Sequence, residues 1–133
     1  MRLRILLCIF LLCSSLLFAR IPKTRSRTLD PLYSSALAAA NHFLYAWQSQ
    51  DHETGIMMLS DAARQRASRE QLQQFFSPGD QAAFEILHGK RLRPGEYMFP
   101  VVLFGFSGPG TRPRVSKLVI SKAGSDWAIE RLP

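Results

Sequence analysis

The sequence predicts an α+β fold in which helices come first and an antiparallel sheet follows. Between Pro31 and about Gln50, apolar residues recur every three or four positions, which is the period of an amphipathic helix. From Ala83 onward the period shortens to two, which is the period of a β-strand. Short turns separate these strands, as in an antiparallel meander. We therefore expect a long helix and two short helices packed on a four-stranded antiparallel sheet.

Residues 1–19 are predicted to be a signal peptide or a membrane anchor helix. Arg2 and Arg4 precede fifteen uncharged residues, Ile5–Ala19. A spanning helix needs about 20 apolar residues, so this segment fits the core of a signal peptide better. Cleavage before Arg20 is disfavoured because Leu17 is large where a small residue is preferred. We expect export to the periplasm or the cell exterior, and both cleavage and retention in the inner membrane stay open.

Residues 20–30 are predicted to be a basic linker, which contains Arg20, Lys23, Arg25 and Arg27. Positive charge after an apolar segment hinders translocation, so the membrane topology is open. Near anionic lipid each basic residue contributes roughly 1 kcal/mol, so the linker can help to hold the chain on a bilayer. Nucleic acid is not an expected partner, because the charge lies beside a membrane segment.

Residues 31–133 are predicted to form a single domain. Without residues 1–19, 114 of the 133 residues remain, which suffice for one hydrophobic core and not for two. Cys8 and Cys13 are the two cysteines, and both lie in the apolar segment. The domain therefore has neither a disulfide nor a cysteine metal site. The net charge of +7 comes mostly from the N-terminal arginines and the linker, so the domain itself is close to neutral.

The long helix is predicted to begin at Pro31 with Asp30 as its N-cap. A carboxylate accepts hydrogen bonds from free helix amides, and proline suits the first helical position. Its apolar stripe consists of Leu32, Ala36, Ala39 or Ala40, Phe43 and Trp47. Trp47 is expected to bury about 150–250 Å².

Two short helices are predicted after the long one. Asp51 precedes the first of them, whose expected buried residues are Ile56, Met57 and Leu59. Ser68 and Gln71 have the spacing of a capping box, which predicts a helix from about Arg69 to Phe76.

Four strands are predicted, at Ala83–Leu92, Tyr97–Phe106, Arg114–Lys122 and Trp127–Leu132. In the second strand, Tyr97, Phe99, Val101 and Leu103 are expected on one face, and Met98, Val102, Phe104 and Phe106 on the other. Both faces are apolar, so we expect this strand to be covered on both sides. Pro100 within it predicts an edge position or a bulge, because proline has no N–H to donate.

Several features of residues 31–132 carry a family resemblance. They are the helix end Phe43–Trp47, Asp51, the short helix with Met58 and Leu59, the turn at Gly124 and the final strand with Trp127–Ile129. In these features the chain resembles the nuclear transport factor 2-like superfamily, as a small bacterial-type member. The resemblance implies a curved sheet that wraps the long helix into a cone. It also implies an outer sheet face that often forms a dimer.

The resemblance suggests places for a pocket and an interface. Phe43, Trp47, Tyr97 and Phe99 are candidate pocket-lining residues at the open end of the cone, and Phe104 and Phe106 are candidate interface residues. The alternative for the aromatic set is a filled core, which we favour because core helices and strands need such residues. The superfamily contains isomerases, cyclases and dehydratases as well as binding and assembly domains, so the fold does not decide the function.

No catalytic, metal-binding or cofactor-binding residues are predicted. The histidines are His42, His52 and His88, and none is paired with a carboxylate at metal-ligand spacing. The residue types that enzymes of this fold use are available as Tyr33, Tyr45, Asp51, Glu85, His88 and Tyr97. Asp51 is expected to cap a helix, Tyr97 to pack its ring and expose its hydroxyl, and Glu85 to face solvent or a neighbouring strand. Acid–base catalysis needs two groups that converge, and the spacing does not show convergence.

Three functions follow as hypotheses. The first is a non-enzymatic, exported or membrane-tethered domain that binds a protein partner or a second copy of itself. The second is a small-molecule binder or an isomerase- or cyclase-like enzyme that uses the cone cavity. The third is a protein of the lipid surface that binds through the basic linker. The sequence favours the first, because it has an apolar second strand and no catalytic constellation.

Overall fold

The computed structural model describes residues 30–106 and 112–133. The predicted signal or anchor segment, residues 20–29 of the linker and part of the predicted loop Ser107–Pro113 lie outside the described residues. Among the helices that the structure describes, none is long and apolar enough to cross a bilayer. The α+β prediction is confirmed, since helices precede an antiparallel sheet.

Four helices come first in the described chain: α1 at Pro31–Gln48, α2 at His52–Met57, α3 at Asp61–Arg66 and α4 at Arg69–Phe75. The prediction of two short helices was wrong, since three follow α1. The additional helix, α3, forms because Ser60 caps it, with the Ser60 hydroxyl accepting a hydrogen bond from the Ala63 amide at 3.1 Å.

The predicted helix caps are confirmed. The Asp30 carboxylate accepts from the Leu32 amide at 3.1 Å, and Pro31 occupies the first position of α1. The Asp51 carboxylate accepts from the Thr54 amide at 3.0 Å at the start of α2. Ser68 and Gln71 form the capping box of α4, since each side chain accepts a hydrogen bond from the backbone amide of the other.

The sheet has five strands: β1 at Ala83–Ile86, β2 at Lys90–Arg93, β3 at Glu96–Phe104, β4 at Arg114–Ala123 and β5 at Asp126–Arg131. Their order is β1–β3–β4–β5, and β2 also pairs with β3. The prediction of four strands was wrong, because the segment expected as one strand at Ala83–Leu92 is two. β1 pairs with one end of β3 and β2 with the other end.

Pro100 explains the interruption between β1 and β2. It lies in β3, which is a central strand and not the predicted edge. Its carbonyl accepts a hydrogen bond from the Leu87 amide at 2.9 Å, so its nitrogen faces the same side. That nitrogen has no hydrogen to donate, and the neighbouring chain leaves the ladder there. Gly89 lies in the interruption between β1 and β2, directly against Phe99. A Cβ atom at position 89 would lie 2.4 Å from the Phe99 ring.

Helix α1 packs across one face of the sheet, which we call the inner face. Tyr97, Phe99, Val101 and Leu103 are buried on that face of β3, as the alternation predicted. The prediction that the opposite face is also covered was wrong within the described chain, because its residues are partly or fully exposed.

The buried stripe of α1 consists of Ala36, Ala40, Phe43, Leu44, Ala46 and Trp47. Leu59 after α2 is buried, but Met57 is 71% exposed, so its predicted burial was wrong. Gly55 is the buried residue of α2, since this face of the helix lies against the Phe76 ring. The chain after α2 also covers the outer edge of β5. The Ile129 amide donates to the Met58 carbonyl at 2.9 Å, and the Ser60 amide donates to the Ile129 carbonyl at 3.0 Å.

Candidate functional site

The four predicted pocket-lining residues are part of the hydrophobic core. Phe43, Trp47 and Phe99 are fully buried, and Tyr97 is 1% exposed. Their rings contact other core rings, such as Phe43 on Phe76 and Tyr97 on Phe99. None of the four lines the principal groove described below. The structure therefore places them where the filled-core alternative expects them.

A polar cluster joins the start of α1 to the sheet. The Tyr97 hydroxyl donates to Asp30 Oδ2 at 2.6 Å, so the prediction of an exposed Tyr97 hydroxyl was wrong. The Tyr33 hydroxyl accepts from the Gly89 amide at 3.1 Å and lies 3.5 Å from His88 Nδ1. The Tyr33 and Tyr97 rings meet edge to face at 5.8 Å. Three of the predicted acid–base types thus converge, together with a helix-cap aspartate.

The protonation states of this cluster suit a structural clamp. Hydrogen bonding from the Tyr97 hydroxyl lowers the pKa of Asp30, and the Leu32 and Tyr33 amides act in the same direction. Burial raises the pKa of Tyr97, and its hydrogen bond to Asp30 raises it further. Asp30 is therefore ionised and Tyr97 protonated near neutral pH. A general base or acid needs a pKa near the working pH, and both values move away from it.

The remaining acid–base candidates are dispersed. Asp51 caps α2, and hydrogen bonds from the side chain and then the amide of Thr54 lower its pKa. Glu85 is exposed on β1, and Tyr45 is 60% exposed with its ring against Phe84. Within residues 30–106 and 112–133, no three His, Cys, Asp or Glu side chains lie close enough together to hold a metal ion.

A groove lies between the short helices α3 and α4 and the ends of β4 and β5. Its volume is about 620 Å³, and it is open to solvent. Its lining residues are Ala63, Arg66, Ala67, Gln71, Gln74, Phe75, Phe106, Arg114, Glu130, Arg131, Leu132 and Pro133. We call this feature the arginine groove, since three of the charged lining residues are arginines.

The charges of the arginine groove are unbalanced. Arg66, Arg114 and Arg131 are exposed, and in the described chain none of them forms an ion pair. Glu130 is the acidic lining residue, and its carboxylate accepts hydrogen bonds from the Ser60 and Ser121 hydroxyls. Arg66 donates instead to the Glu130 carbonyl, at 2.8 Å. The guanidinium groups therefore present donors to the groove with no carboxylate of the groove paired to them.

The floor of the arginine groove is aromatic. Phe106 stacks on Trp47 with ring centroids 6.2 Å apart, and it lies 5.9 Å from Phe75. The guanidinium of Arg114 lies over the Phe106 ring at 4.8 Å. The prediction that Phe106 lies on the outer face with Phe104 was wrong. β3 ends at Phe104, and Gly105 at φ +67° turns the chain, so the alternation of the strand stops there.

The outer sheet face, on the other side from α1, is the second candidate site. Its residues on β3 are Met98, Pro100, Val102 and Phe104, and the register places Val115, Lys117 and Val119 of β4 beside them. On the other side Glu85 of β1 is opposite Val102. Phe104 is 37% exposed and Val115 is 71% exposed, so an apolar row reaches the solvent. Of the two predicted interface residues, Phe104 lies on this face.

Comparisons of the chain with protein-family models, with curated proteins and with solved structures each found no match. The resemblance to the nuclear transport factor 2-like superfamily therefore stays a prediction from the sequence.

Sequence reasoning did not find the arginine groove. Arg66, Arg114 and Arg131 lie on three different elements, and Arg66 and Arg131 each follow a polar residue in an ordinary surface pattern. The one available signal was the excess of arginine over acidic residues between Arg64 and Arg69 and from Arg112 onward, Arg112 included. That signal has no spatial meaning until the fold brings the segments together.

Proposed function

We propose that this chain is a non-catalytic, exported or membrane-tethered module that pairs with a second copy of itself through the outer sheet face. The observation that carries the proposal is the exposed apolar row of β3 and β4, which contains Val102, Phe104 and Val115. Contiguous apolar surface of this kind marks interaction sites in soluble domains. A non-catalytic role agrees with the Asp30–Tyr97 clamp, since both pKa values move away from neutrality.

The charges on the outer sheet face favour a second copy as the occupant. Glu85 lies on the β1 side of β3 at the level of Val102, and Lys117 lies on the β4 side at the level of Pro100. A two-fold axis along β3, between two stacked sheets, exchanges these sides. It brings Glu85 next to Lys117 of the partner subunit, and the same pair forms twice. An isologous contact needs this kind of self-complementary surface.

The size of the face predicts a weak dimer. With a rise of about 3.3 Å per residue and strands about 4.8 Å apart, nine residues across three strands cover roughly 400 Å² on each copy. The total of roughly 800 Å² lies below the roughly 1,200–2,000 Å² of specific, stable interfaces and is typical of weak, transient contacts. We therefore expect association that depends on protein concentration, and a shared membrane would raise the effective concentration of the two copies.

Sedimentation of the full chain tests the proposal, with a detergent matched in density to the buffer. Val115→Lys should move the monomer–dimer equilibrium toward monomer by about tenfold or more, because it places two charges in the apolar contact. Met57→Lys is the matched control, since Met57 is exposed to the same 71% but lies on α2. The proposal fails if the unsubstituted chain stays monomeric at all concentrations, or if both substitutions act equally.

Charge exchange tests the orientation of the two copies. Glu85→Lys and Lys117→Glu should each weaken the dimer, because each places like charges together across the contact. The double substitution should restore association, since it reverses both members of the pair. If the double variant associates no better than the single variants, the proposed axis along β3 is wrong, although another use of the same face would survive.

A further inference from the structure

We infer that the arginine groove binds an extended acidic peptide segment that also carries an apolar side chain. This inference goes beyond the proposed self-association, because it concerns a different surface. The groove and the outer sheet face share no residue. Its volume of about 620 Å³ is in the range of sites that enclose a drug-sized ligand or a few peptide residues.

The charge of the groove selects an anionic ligand. Three arginines line the groove with a single acidic side chain, Glu130, whose carboxylate already accepts hydrogen bonds from two serine hydroxyls. Arginine forms paired, charge-assisted hydrogen bonds with carboxylates and phosphates. Arg114 is held in place, because its guanidinium lies over the Phe106 ring and its Nη2 donates to the main-chain oxygen of Pro133 at 3.4 Å.

The apolar floor selects a peptide over a bare anion. Phe75 and Phe106 line the groove beneath the arginines, and Leu132 adds to the same surface. A phosphate or a sulfate makes no use of an aromatic floor, whereas an apolar side chain between two acidic residues covers it. A peptide with acidic residues flanking an apolar one therefore uses the charges and the floor together.

Groups that recognise a peptide backbone also border the groove. Gln71 and Gln74 are exposed and three residues apart on α4, so their side-chain amides lie on the same side of the helix. The Gln71 oxygen accepts from the Ser68 amide, so Gln71 offers its NH2 group as a donor, whereas Gln74 can both donate and accept. In addition, β5 pairs with β4 only from Val119 onward. Within the described residues, the segment of β4 from Arg114 to Leu118 pairs with β3 on one side and with no strand on the other, and its first residue, Arg114, lines the groove. An unpaired strand edge of this kind accepts an extended peptide.

Fluorescence anisotropy with a labelled probe tests the inference. The probe is a nine-residue peptide of alternating glutamate and phenylalanine, added to the full chain in a non-ionic detergent. The double substitution Arg114→Gln and Arg131→Gln should weaken binding at least about tenfold, since it removes two charge-assisted contacts. The matched control is Arg69→Gln with Lys122→Gln, which removes two exposed charges outside the groove and should change binding less than about twofold.

Altered probes and competitors identify which chemistry is recognised. A probe with every glutamate replaced by glutamine should bind at least about tenfold more weakly, and so should one with every phenylalanine replaced by serine. Inorganic phosphate and phosphatidylserine in mixed micelles with the same detergent should compete poorly. The inference is overturned if both double variants lose binding equally, if the glutamine probe binds as well as the acidic one, or if phosphate or the phosphatidylserine micelles displace the probe efficiently. Thermal unfolding of each variant verifies that it is folded before binding is compared.

Discussion

The Asp30 carboxylate accepts two hydrogen bonds, one from the start of α1 and one from the sheet. Its Oδ1 caps α1 through the Leu32 amide, and its Oδ2 accepts the Tyr97 hydroxyl from the buried face of β3. The first hydrogen bond was predictable from the Asp30–Pro31 pair alone, because capping is local. The second was not, because the Tyr97 hydroxyl and the helix start are 67 residues apart in sequence. The sequence therefore predicts a solvent-exposed Tyr97 hydroxyl, because the pattern of β3 alone does not show that Asp30 lies beside it.

The Asp30–Tyr97 contact predicts how stability depends on acidity. The pKa of Asp30 is lowered in the folded chain from a starting value of 3.8, so the folded state favours the ionised carboxylate. The stabilisation is present above the pKa of the unfolded chain and is lost as the pH falls below about 4. Tyr97→Phe removes the hydrogen bond that is the main cause of the lowered Asp30 pKa. The substitution should therefore lower the free energy of unfolding at pH 7 and make it depend less on pH between 7 and 3.

Urea unfolding of Tyr97→Phe at pH 7 and at pH 3 measures this effect. Tyr45→Phe is the control, because it removes the same oxygen from a tyrosine that is 60% exposed. The prediction is contradicted if Tyr97→Phe loses as much stability between the two pH values as the unsubstituted chain does.

At the scale of elements, the sequence predicted types well and continuity poorly. Both the predicted helix at Arg69–Phe76 and the hairpin at Gly124 exist within one residue of their expected bounds, because caps and turns are local signals. The predicted strand Ala83–Leu92 is divided into β1 and β2. Its sequence does not show this, because the interruption is caused by Pro100 on the neighbouring strand β3. Phe106 left the predicted strand face because Gly105 takes a positive φ, and periodicity alone does not report where a strand ends.

Gly55 in α2 predicts a substitution with two opposing effects. Alanine has a higher helix propensity than glycine by about 1 kcal/mol. A Cβ at this position, however, would lie 2.1 Å from the Phe76 ring, and Phe76 is fully buried. Overpacking of this kind costs about 1–3 kcal/mol, so Gly55→Ala should lower the free energy of unfolding by up to about 2 kcal/mol net.

A double-mutant cycle with Phe76→Leu measures the contact. Leucine has no ring atom at the point of collision, so Gly55→Ala should cost less in the Phe76→Leu background than in the unsubstituted chain. Equal costs in the two backgrounds would mean that α2 moves away from Phe76 freely, and the steric explanation would then be wrong.

At the scale of the whole molecule, one core was predictable and the surfaces around it were not. Apolar periodicity places Phe43, Trp47 and Phe99 inside, and all three are fully buried. The arginine groove needs residues from four elements, and the outer sheet face needs a strand register that hydrophobic pattern alone does not fix. Buried residues are therefore easier to predict from this sequence than contacts between exposed residues on different elements.

Trp47 connects the core to both halves of the chain. Its ring contacts Phe75 of α4 and stacks on Phe106, which forms the floor of the arginine groove. Its Nε1 is buried and has no hydrogen-bond partner among the described residues. The side chain thus stabilises the fold through packing. Its one polar atom, Nε1, loses its hydrogen bond to water on burial and gains no other partner among the described residues.

Two substitutions of Trp47 should therefore differ sharply. Trp47→Ala removes the largest buried side chain and should cost about 3–5 kcal/mol, a large share of the 5–15 kcal/mol that stabilises a typical domain. Trp47→Phe keeps the contacts with Phe75 and Phe106 and removes the unpaired N–H, so its cost should be nearer about 1–2 kcal/mol.

Urea unfolding of the two variants, followed by the fluorescence of Trp127, gives both values. Because Trp127 lies at the other end of α1, bonded to Ser35 at 3.0 Å, a single transition shared with circular dichroism would show that the core unfolds as one unit. If Trp47→Ala and Trp47→Phe cost the same, the ring contacts that phenylalanine keeps do not stabilise the fold, and the packing explanation is wrong.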